Sequence, residues 1–380
     1  MKRIAFISTM EGSAWGGSEN FWAQAARQAL DRGHPVFASV YRWNPLPTQL
    51  VELEKQGAVL HYRTRFNFAS ALASKAANKI QQIYFGGYGL KAALRQFRPD
   101  VVCISQGGNY DIVQEPSLFR AITSLNLPYY LVPQFNYEHY TLPHRDFVRA
   151  RAIFSEAQGI CFVSERNREV TRRQLGLSLA TSTVIFAPLN LTNRQPVAYP
   201  VATDTYRMAC VSRLDCNFKG QDVLLQALSE PQWKNRNWQL FLYGKGPHEQ
   251  YLRTLIEFYQ LTDKVFLAGY VDDIRKLWAD NYLLVMPSVA EGTPCALMEA
   301  MICGRAAVAT DVGGNAVFVQ NDKTGFLAEA PSPTYLAKAL EQAWHSRDHW
   351  EEMGRAAHQL ATDLVPTSPG DELLDYLLRC

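Results

Sequence analysis

Residues 291–299 read Glu-Gly-Thr-Pro-Cys-Ala-Leu-Met-Glu and place two carboxylates eight positions apart. Thr293 is suited to cap a helix and Pro294 to occupy its first turn, which predicts Glu291 in a loop and Glu299 two turns into the helix. The start of a helix attracts phosphate, because its free N–H groups and positive dipole end point outward. A loop carboxylate suits the hydroxyls of a sugar, and one within the helix suits a ribose. The segment therefore predicts a grip on all three parts of a nucleotide-sugar.

Around this segment the chain alternates between short apolar runs and helical patterns. Strands are predicted at residues 4–8, 36–40, 101–105, 129–132, 160–163, 208–211, 239–243, 265–267, 282–286 and 307–309. Helices are predicted at residues 21–30, 221–228, 248–259, 274–280, 294–303 and 371–378. The pattern favours an α/β fold with parallel sheets covered on both faces.

The periodicity is lost between residues 189 and 206, where two prolines and several polar residues indicate a linker. A chain of 380 residues is too long for one ordinary core and suits two domains. We therefore predict an N-terminal domain over residues 1–190 and a C-terminal domain over residues 191–363.

Six segments resemble the landmarks of retaining glycosyltransferases of family 4 and occur in the same order along the chain. One of them is residues 291–299, which resemble the E-x7-E motif. The others are Gly16-Gly17-Ser18-Glu19, Ser212-Arg213-Leu214 with Lys219-Gly220, Tyr243-Gly244-Lys245-Gly246-Pro247, Asp311-Val312-Gly313-Gly314 and Thr324-Gly325-Phe326. The resemblance implies the GT-B fold, in which two Rossmann-like domains face an interdomain cleft. It places the acceptor on the first domain and the nucleotide-sugar donor on the second. It also implies that a final helix, at about residues 364–380, packs back on the first domain.

The resemblance implies catalytic roles for Glu291, Arg213 and Lys219. Glu291 would contact the transferred sugar and stabilise a cationic transition state. Arg213 and Lys219 would hold the diphosphate, whose negative charge grows as the bond to the sugar breaks. The predicted donor domain has no D-x-D motif flanked by strands, so we expect no metal and no other cofactor. Surface cations are the alternative interpretation of both basic residues.

Other residues are predicted to bind the donor. Glu299 would bind the ribose, and backbone N–H groups near the helix start would reach phosphate or sugar. This second set comprises Thr293, Pro294, Cys295, Ala296 and Leu297. Gly16 and Gly17 would let the backbone approach a phosphate or an acceptor closely. Gly244, Gly246 and Val271 would lie near the base.

Two positions depart from the family pattern. Family members often carry a histidine after the strand that here ends at Val132-Pro133-Gln134. Gln134 occupies that slot, and His139, five residues on, is the other candidate for the catalytic role. The family's Gly-Gly-x-x-Glu pattern ends in Val317 instead of a carboxylate.

Charge is distributed unevenly along the chain. Residues 1–190 contain 21 Lys and Arg against 13 Asp and Glu, and the remainder contains 17 against 23. Residues 66–99 contain no acidic residue, whereas basic ones recur among apolar neighbours: Lys75, Lys79, Lys91, Arg95 and Arg98. This stretch indicates either a face for anionic lipid or glycan or an ordinary solvated helix face.

Composition bounds the remaining choices. The chain is 47% hydrophobic and 19% charged, and no apolar run is long enough to span a bilayer. The start reads as a strand rather than a signal peptide, so the expected location is the cytoplasm, with the inner membrane face as a peripheral option. Seven cysteines without a C-x-x-C pair favour buried free thiols over a zinc site.

These observations predict a retaining, metal-independent glycosyltransferase with a nucleotide-sugar donor and a glycan or lipid-linked acceptor, and no nucleic-acid partner. Surface polysaccharide or glycolipid synthesis is the expected setting. A nucleotide-sugar epimerase of the same architecture and a non-catalytic binding subunit remain as alternatives. A Rossmann oxidoreductase is excluded, because no G-x-G-x-x-G follows the first strand.

Overall fold

The computed structural model describes residues 1–63, 87–201 and 203–379. The chain divides into two compact units. The first unit comprises Met1–Pro188 together with Pro366–Cys380, and the second comprises Leu189–Val365. Lys75 and Lys79 of the basic stretch lie outside the described residues.

The first unit is built on a seven-stranded sheet of order β3-β2-β1-β4-β5-β6-β7 in which every recorded pairing is parallel. The strands are β1 (Ile4–Ser8), β2 (Val36–Tyr41), β3 (Val59–Arg63), β4 (Val101–Gln106), β5 (Tyr129–Pro133), β6 (Gly159–Phe162) and β7 (Ser182–Val184). The helices before the chain leaves this unit are α1 (Gly17–Asp31), α2 (Thr48–Lys55), α3 (Gly87–Phe97), α4 (Asp111–Gln114), α5 (Pro116–Thr123), α6 (His144–Glu156) and α7 (Glu165–Leu175).

The second unit is built on a six-stranded parallel sheet of order β10-β9-β8-β11-β12-β13. The strands are β8 (Tyr206–Val211), β9 (Trp238–Tyr243), β10 (Val265–Gly269), β11 (Leu283–Met286), β12 (Ala306–Thr310) and β13 (Gly325–Ala328). The helices are α8 (Cys216–Lys219), α9 (Gln221–Leu228), α10 (Pro231–Lys234), α11 (Glu249–Phe258), α12 (Ile274–Asp280), α13 (Cys295–Ile302), α14 (Asn315–Phe318), α15 (Pro333–His345) and α16 (Trp350–Leu364), with a 3-10 turn at Arg347–His349.

Burial explains why the strands could be found from the sequence. All residues of β1, β11 and β12 are buried, as expected for strands covered on both faces. Three strands escaped prediction, namely β3, β7 and β13. The first two are largely half-exposed and the third is only four residues long, so none of them forms a distinct apolar run.

The final helix, α17 (Pro369–Leu378), packs along α1 within the first unit. Arg32, the C-cap residue of α1, forms ion pairs of 2.5 Å with Asp371 and with Asp375. Tyr376 donates a hydrogen bond to the carbonyl of Thr181, which precedes β7. The last helix therefore belongs to the first unit, although the whole second unit separates it in sequence from the rest of that unit.

In each unit the order of the strands reverses direction beside the first strand of the sheet. The reversal lies between β1 and β4 in the first unit and between β8 and β11 in the second. Loops at the carboxyl ends of such strands form the usual ligand-binding crevice of open α/β sheets. The predicted residues can therefore be judged by whether they lie at these two edges.

Candidate functional site

Most of the predicted donor-site residues lie at the carboxyl edge of the second sheet. Arg213 follows β8, and Lys219 ends the short helix α8 in the same connection. Glu291 lies in the loop that follows β11, the strand that pairs with β8. The topology therefore brings residues that are far apart in sequence to the reversal point of the sheet.

Backbone contacts hold these loops against one another. The N–H group of Val289 donates to the carbonyl of Phe218 at 2.9 Å. Gly220 has a φ of +59°, and a Cβ there would clash with the carbonyl of Pro287. The connection after β8 and the loop after β11 are thus packed directly against each other.

Glu291 is the centre of a buried polar cluster where these loops meet. Its Oε1 accepts from Lys219 Nζ at 2.5 Å and from Ser288 Oγ at 2.7 Å. The Glu291 side chain is 9% exposed and that of Lys219 is 25% exposed. Two separate donors therefore fix the orientation of the carboxylate, which suits it for contact with a sugar. Sequence reasoning missed Ser288, although its position between a strand end and Glu291 was a signal.

Arg213 is held by a carboxylate of its own loop. Its Nη2 lies 2.7 Å from Asp215 Oδ2, and the Arg213 side chain is 53% exposed whereas Asp215 is buried. The N–H group of Cys216 donates to His248 Nδ1 at 3.0 Å, which places this imidazole 3.6 Å from Asp215 Oδ1. Asp215 and His248 were both missed from the sequence, since a carboxylate beside an arginine is common on protein surfaces.

Glu299 is a buried carboxylate with one recorded partner. The N–H group of Asn190 donates to its Oε1 at 3.2 Å. Burial raises the pKa of Glu299 to about 7, and the Asn190 hydrogen bond opposes that shift. The expectation that this carboxylate needs a partner among apolar neighbours is met in part by a backbone group. Its predicted role with ribose stays a prediction.

Helix α13 begins later than the sequence indicated. Pro294 occupies the N-cap position, which the sequence analysis had given to Thr293, and its own side chain makes no capping hydrogen bond. Proline at position 294 restricts Thr293 to extended geometry, and the carbonyl of Thr293 accepts from the Cys295 N–H group instead. Glu299 consequently lies in the second turn of the helix rather than after two turns.

The rest of the predicted donor segment lies at the same helix start. Thr293, Pro294 and Leu297 are buried, whereas Cys295 and Ala296 are half-exposed. Val271, in the loop after β10, is half-exposed. The geometry leaves their donor-binding roles as predictions.

Several glycines at the carboxyl edge of the second sheet are explained by close backbone packing. Gly244 has a φ of +135°, and a Cβ there would clash with the carbonyl of Ser212. A Cβ on Gly246 would meet the backbone of Leu214 in the same way. Gly313 packs against the backbone of Glu291, and the Gly314 N–H group donates to the carbonyl of Gly292 at 3.1 Å. These glycines therefore shape the loops that position Arg213 and Glu291.

The N-terminal glycine pair lies at the carboxyl edge of the first sheet and is less constrained. Gly16 is the N-cap of α1 in extended geometry, and Gly17 is its first residue. A Cβ on Gly17 would meet no heavy atom within 4 Å in the described part of the chain. Beside them Glu19 is buried, and desolvation raises its pKa. The packing of the described residues thus does not require glycine at position 17, and the predicted roles of Gly16 and Gly17 stay predictions.

The structure separates the two candidates for the histidine role. Gln134 is buried just after β5, and its Nε2 has no hydrogen-bond partner among the residues described. His139 is exposed in the loop that follows. His139 thus matches the alternative of an exposed loop histidine, while Gln134 lies at the sheet edge where the resemblance places the family histidine.

The second departure from the family pattern is also visible. Val317, the valine that stands in place of the family's carboxylate, lies on α14 and is 39% exposed. Asn315, two residues earlier, is fully buried and donates from Nδ2 to the carbonyl of Thr310 at 2.8 Å. Thr310 Oγ1 in turn donates to the carbonyl of Ser288. Hydrogen bonds from α14 and β12 thus support the loop that carries Glu291.

Within residues 1–63, 87–201 and 203–379, no three His, Cys, Asp or Glu side chains are arranged so that they could hold a metal ion. None of the helices in these described residues is long and apolar enough to cross a membrane.

Sequence similarity to known proteins is found in the second unit. Residues 193–360 match the family model described as glycosyl transferases group 1. A phosphatidylinositol N-acetylglucosaminyltransferase subunit of Arabidopsis thaliana is 30% identical over 188 residues, which cover 49% of this chain and 41% of that protein. The putative colanic acid biosynthesis glycosyltransferase WcaL of Escherichia coli is 35% identical over 130 residues, or 32% of each chain. The alignments thus span less than half the length of these two curated relatives.

Solved structures extend the comparison to the whole chain. HepE of Anabaena, in complex with UDP and glucose, superposes with a TM-score of 0.73 and 17% identity, and the match covers 100% of both chains. At this identity the likeness shows the fold alone. The fold is therefore GT-B, with two Rossmann-like domains, and residues 193–360 are similar to the glycosyl transferases group 1 family.

Proposed function

We propose that this chain transfers a sugar from a nucleoside diphosphate-sugar to a hydroxyl of a glycan or lipid-linked acceptor, with retention of configuration and without a metal ion. The observation that carries the proposal is the contact between Lys219 and Glu291 at the reversal point of the second sheet. It joins a cation for the diphosphate to a carboxylate for the sugar in one site. Assignment to family 4 remains a prediction.

The chemistry follows from the charges that develop as the sugar leaves. Arg213, Lys219 and backbone N–H groups near α13 would stabilise the departing diphosphate. Glu291 would stabilise positive charge on the sugar, and Glu299 would bind the ribose. In a retaining reaction of this kind the departing phosphate takes the acceptor proton, so no protein nucleophile is assigned. Fixed cations would serve in place of a metal ion.

The acceptor is proposed from relatives and from charge. One relative carries the name of a phosphatidylinositol N-acetylglucosaminyltransferase, and another that of a colanic acid enzyme. Both names favour polysaccharide or glycolipid synthesis for this chain. In the basic stretch, Arg95 and Arg98 are exposed and Lys91 is half-exposed, which supports a peripheral contact with anionic lipid.

The donor is tested directly by thermal unfolding in the presence of uridine, guanosine and adenosine diphosphates and their sugars. Uridine compounds come first, because HepE was solved with UDP. A ligand that binds only the native state raises the melting temperature, and at a fixed ligand concentration the shift grows with the logarithm of the affinity. The absence of any shift with every diphosphate would contradict the proposed donor.

Product analysis separates the remaining alternatives. The anomeric proton of the product, followed by NMR, should show the same configuration as the donor. Inversion would refute the retaining mechanism. Interconversion of the free nucleotide-sugar without an acceptor would instead identify an epimerase, and tight donor binding without turnover would identify a binding subunit.

A further inference from the structure

Both cations proposed for the diphosphate already have carboxylate partners within the second unit. Lys219 pairs with Glu291 at 2.5 Å, and Arg213 pairs with Asp215 at 2.7 Å. Two positive and two negative groups leave these four side chains with no net charge. A diphosphate, which carries at least two negative charges, therefore meets a neutral set unless the pairs are exchanged.

Asp215 is a buried carboxylate whose two oxygens differ in their contacts. The residue is 4% exposed, and its Oδ1 is buried without a hydrogen-bond partner in the described chain. The nearest basic group to that oxygen is His248 Nδ1 at 3.6 Å. Because His248 Nδ1 accepts from the Cys216 N–H group, it has no proton to donate to Asp215. The recorded charged partner of Asp215 is thus Arg213, and an unpaired buried oxygen of this kind is costly.

Glu291 stands in the same relation to Lys219. Its Oε1 receives both the Lys219 ammonium and the Ser288 hydroxyl, and this pair is more buried than the pair of Arg213. If Lys219 moves to a phosphate oxygen, Ser288 still orients the carboxylate. The Glu291 carboxylate then becomes available to hydroxyls of the sugar.

We propose that Arg213 and Lys219 form a phosphate clamp and that Asp215 and Glu291 are its internal counterions. These two carboxylates compete with the donor diphosphate for the two cations. Donor binding exchanges these partners, and the exchange frees Glu291 Oε1, the oxygen that Lys219 contacts, for the sugar when diphosphate is in place. Asp215 is a positioning residue that acts through Arg213. This inference rests on the proposed function, since it requires a nucleoside diphosphate as ligand.

The test measures the dissociation constants of UDP, GDP and ADP by calorimetry for the wild-type chain and for charge-neutral variants. Asp215→Asn should tighten binding by about two- to fivefold, as expected for release from a partly exposed ion pair. Glu291→Gln should tighten it by about tenfold, because its ion pair is more buried. A variant that was merely destabilised would not bind more tightly.

A double-mutant cycle separates this competition from the general effect of removing a negative charge. In an Arg213→Gln background, Asp215→Asn should no longer tighten binding, because the cation for which the carboxylate competes is gone. Glu249→Gln provides a matched control. Its carboxylate pairs with Arg253 at 2.8 Å on α11, so the charge change is the same but the diphosphate affinity should not change.

The outcomes distinguish a failure of the internal counterions from a failure of the proposed glycosyltransferase function. Tighter binding in Asp215→Asn and Glu291→Gln, with no change in Glu249→Gln, supports the internal counterions. Equal or weaker binding in both clamp variants overturns them while leaving the glycosyltransferase proposal intact. If no diphosphate binds to the wild-type chain, the proposed function and this inference both fail.

Discussion

The two sheets reverse their strand order in the same way but carry different chemistry at the reversal. In the first unit the connections after β1 and β4 lead to carboxylates at the starts of α1 and α4 and just before α5, and desolvation raises the pKa values of Glu19, Asp111 and Glu115. In the second unit the corresponding loops hold Arg213 and Lys219, each with a carboxylate partner. A common scaffold thus positions the connections after the strands, whereas the residues in those connections decide which ligand the carboxyl edge of each sheet can bind.

The largest effect is expected from a substitution that tests whether sugar transfer takes place at the carboxyl edge of the second sheet. Glu291→Gln should lower turnover by about 10²- to 10³-fold, because it removes charge stabilisation that operates at the transition state. The measurement is the rate of nucleoside diphosphate release with donor and acceptor present. Wild-type turnover would remove Glu291 from the mechanism. Retained diphosphate binding would show that the variant is folded.

The next largest effect is a difference in stability between alanine substitutions of glycines at the carboxyl edges of the two sheets. Gly244→Ala should destabilise the second unit by about 3 kcal/mol or more, because the new Cβ clashes with the Ser212 carbonyl at a φ that favours glycine. Gly17→Ala should change stability by less than about 1 kcal/mol, because the space beside it is open. Denaturant unfolding measures both. Equal losses would contradict the difference between the two edges.

Lys219→Ala sharpens the role of the second edge as an anion site. It should weaken nucleoside diphosphate binding by about 1.5–3 kcal/mol, the range expected for a hydrogen bond to a charged group. Calorimetric titration gives the dissociation constant. An unchanged value would mean that Lys219 serves Glu291 alone, and Lys276→Ala on α12 offers a surface-lysine control.

Glu299 predicts a smaller, pH-dependent effect. Its pKa rises from an ordinary 4.5 to about 7 on burial, so the native state holds more protons than the unfolded chain between those values. The free energy of unfolding should therefore fall as pH increases from 4.5 to 7, by on the order of 1–3 kcal/mol. Denaturant titrations at several pH values measure this slope, which Glu299→Gln should reduce. An equal slope in the variant would assign it to other groups.

The smallest expected effect is that of a chelator. Activity should survive a strong chelator of divalent ions, because Arg213, Lys219 and backbone donors are proposed to stabilise the diphosphate. The control is the same assay after a divalent ion is added back. Loss of activity that the ion restores would refute the metal-free mechanism.

Much of the fold was predictable because burial leaves a periodic pattern in the sequence. Strand β1 and helices α9 and α12 have their predicted bounds. The start of α13 was not predictable from composition, since it depends on how Pro294 restricts its neighbour. Strand β7 depends on pairing with β6, because its own three residues are too few to carry a signal.

The candidate site divides in the same way. Local patterns in the sequence predicted the alternation of elements, the two domains and the candidate residues for a nucleotide-sugar. The contacts among those residues came from the folded chain, in which Ser288 orients Glu291, Asp215 holds Arg213, and Lys219 pairs with Glu291. The physical reason is that hydrogen bonds and ion pairs act over about 3 Å in space, and chain order does not record which side chains the loops bring that close.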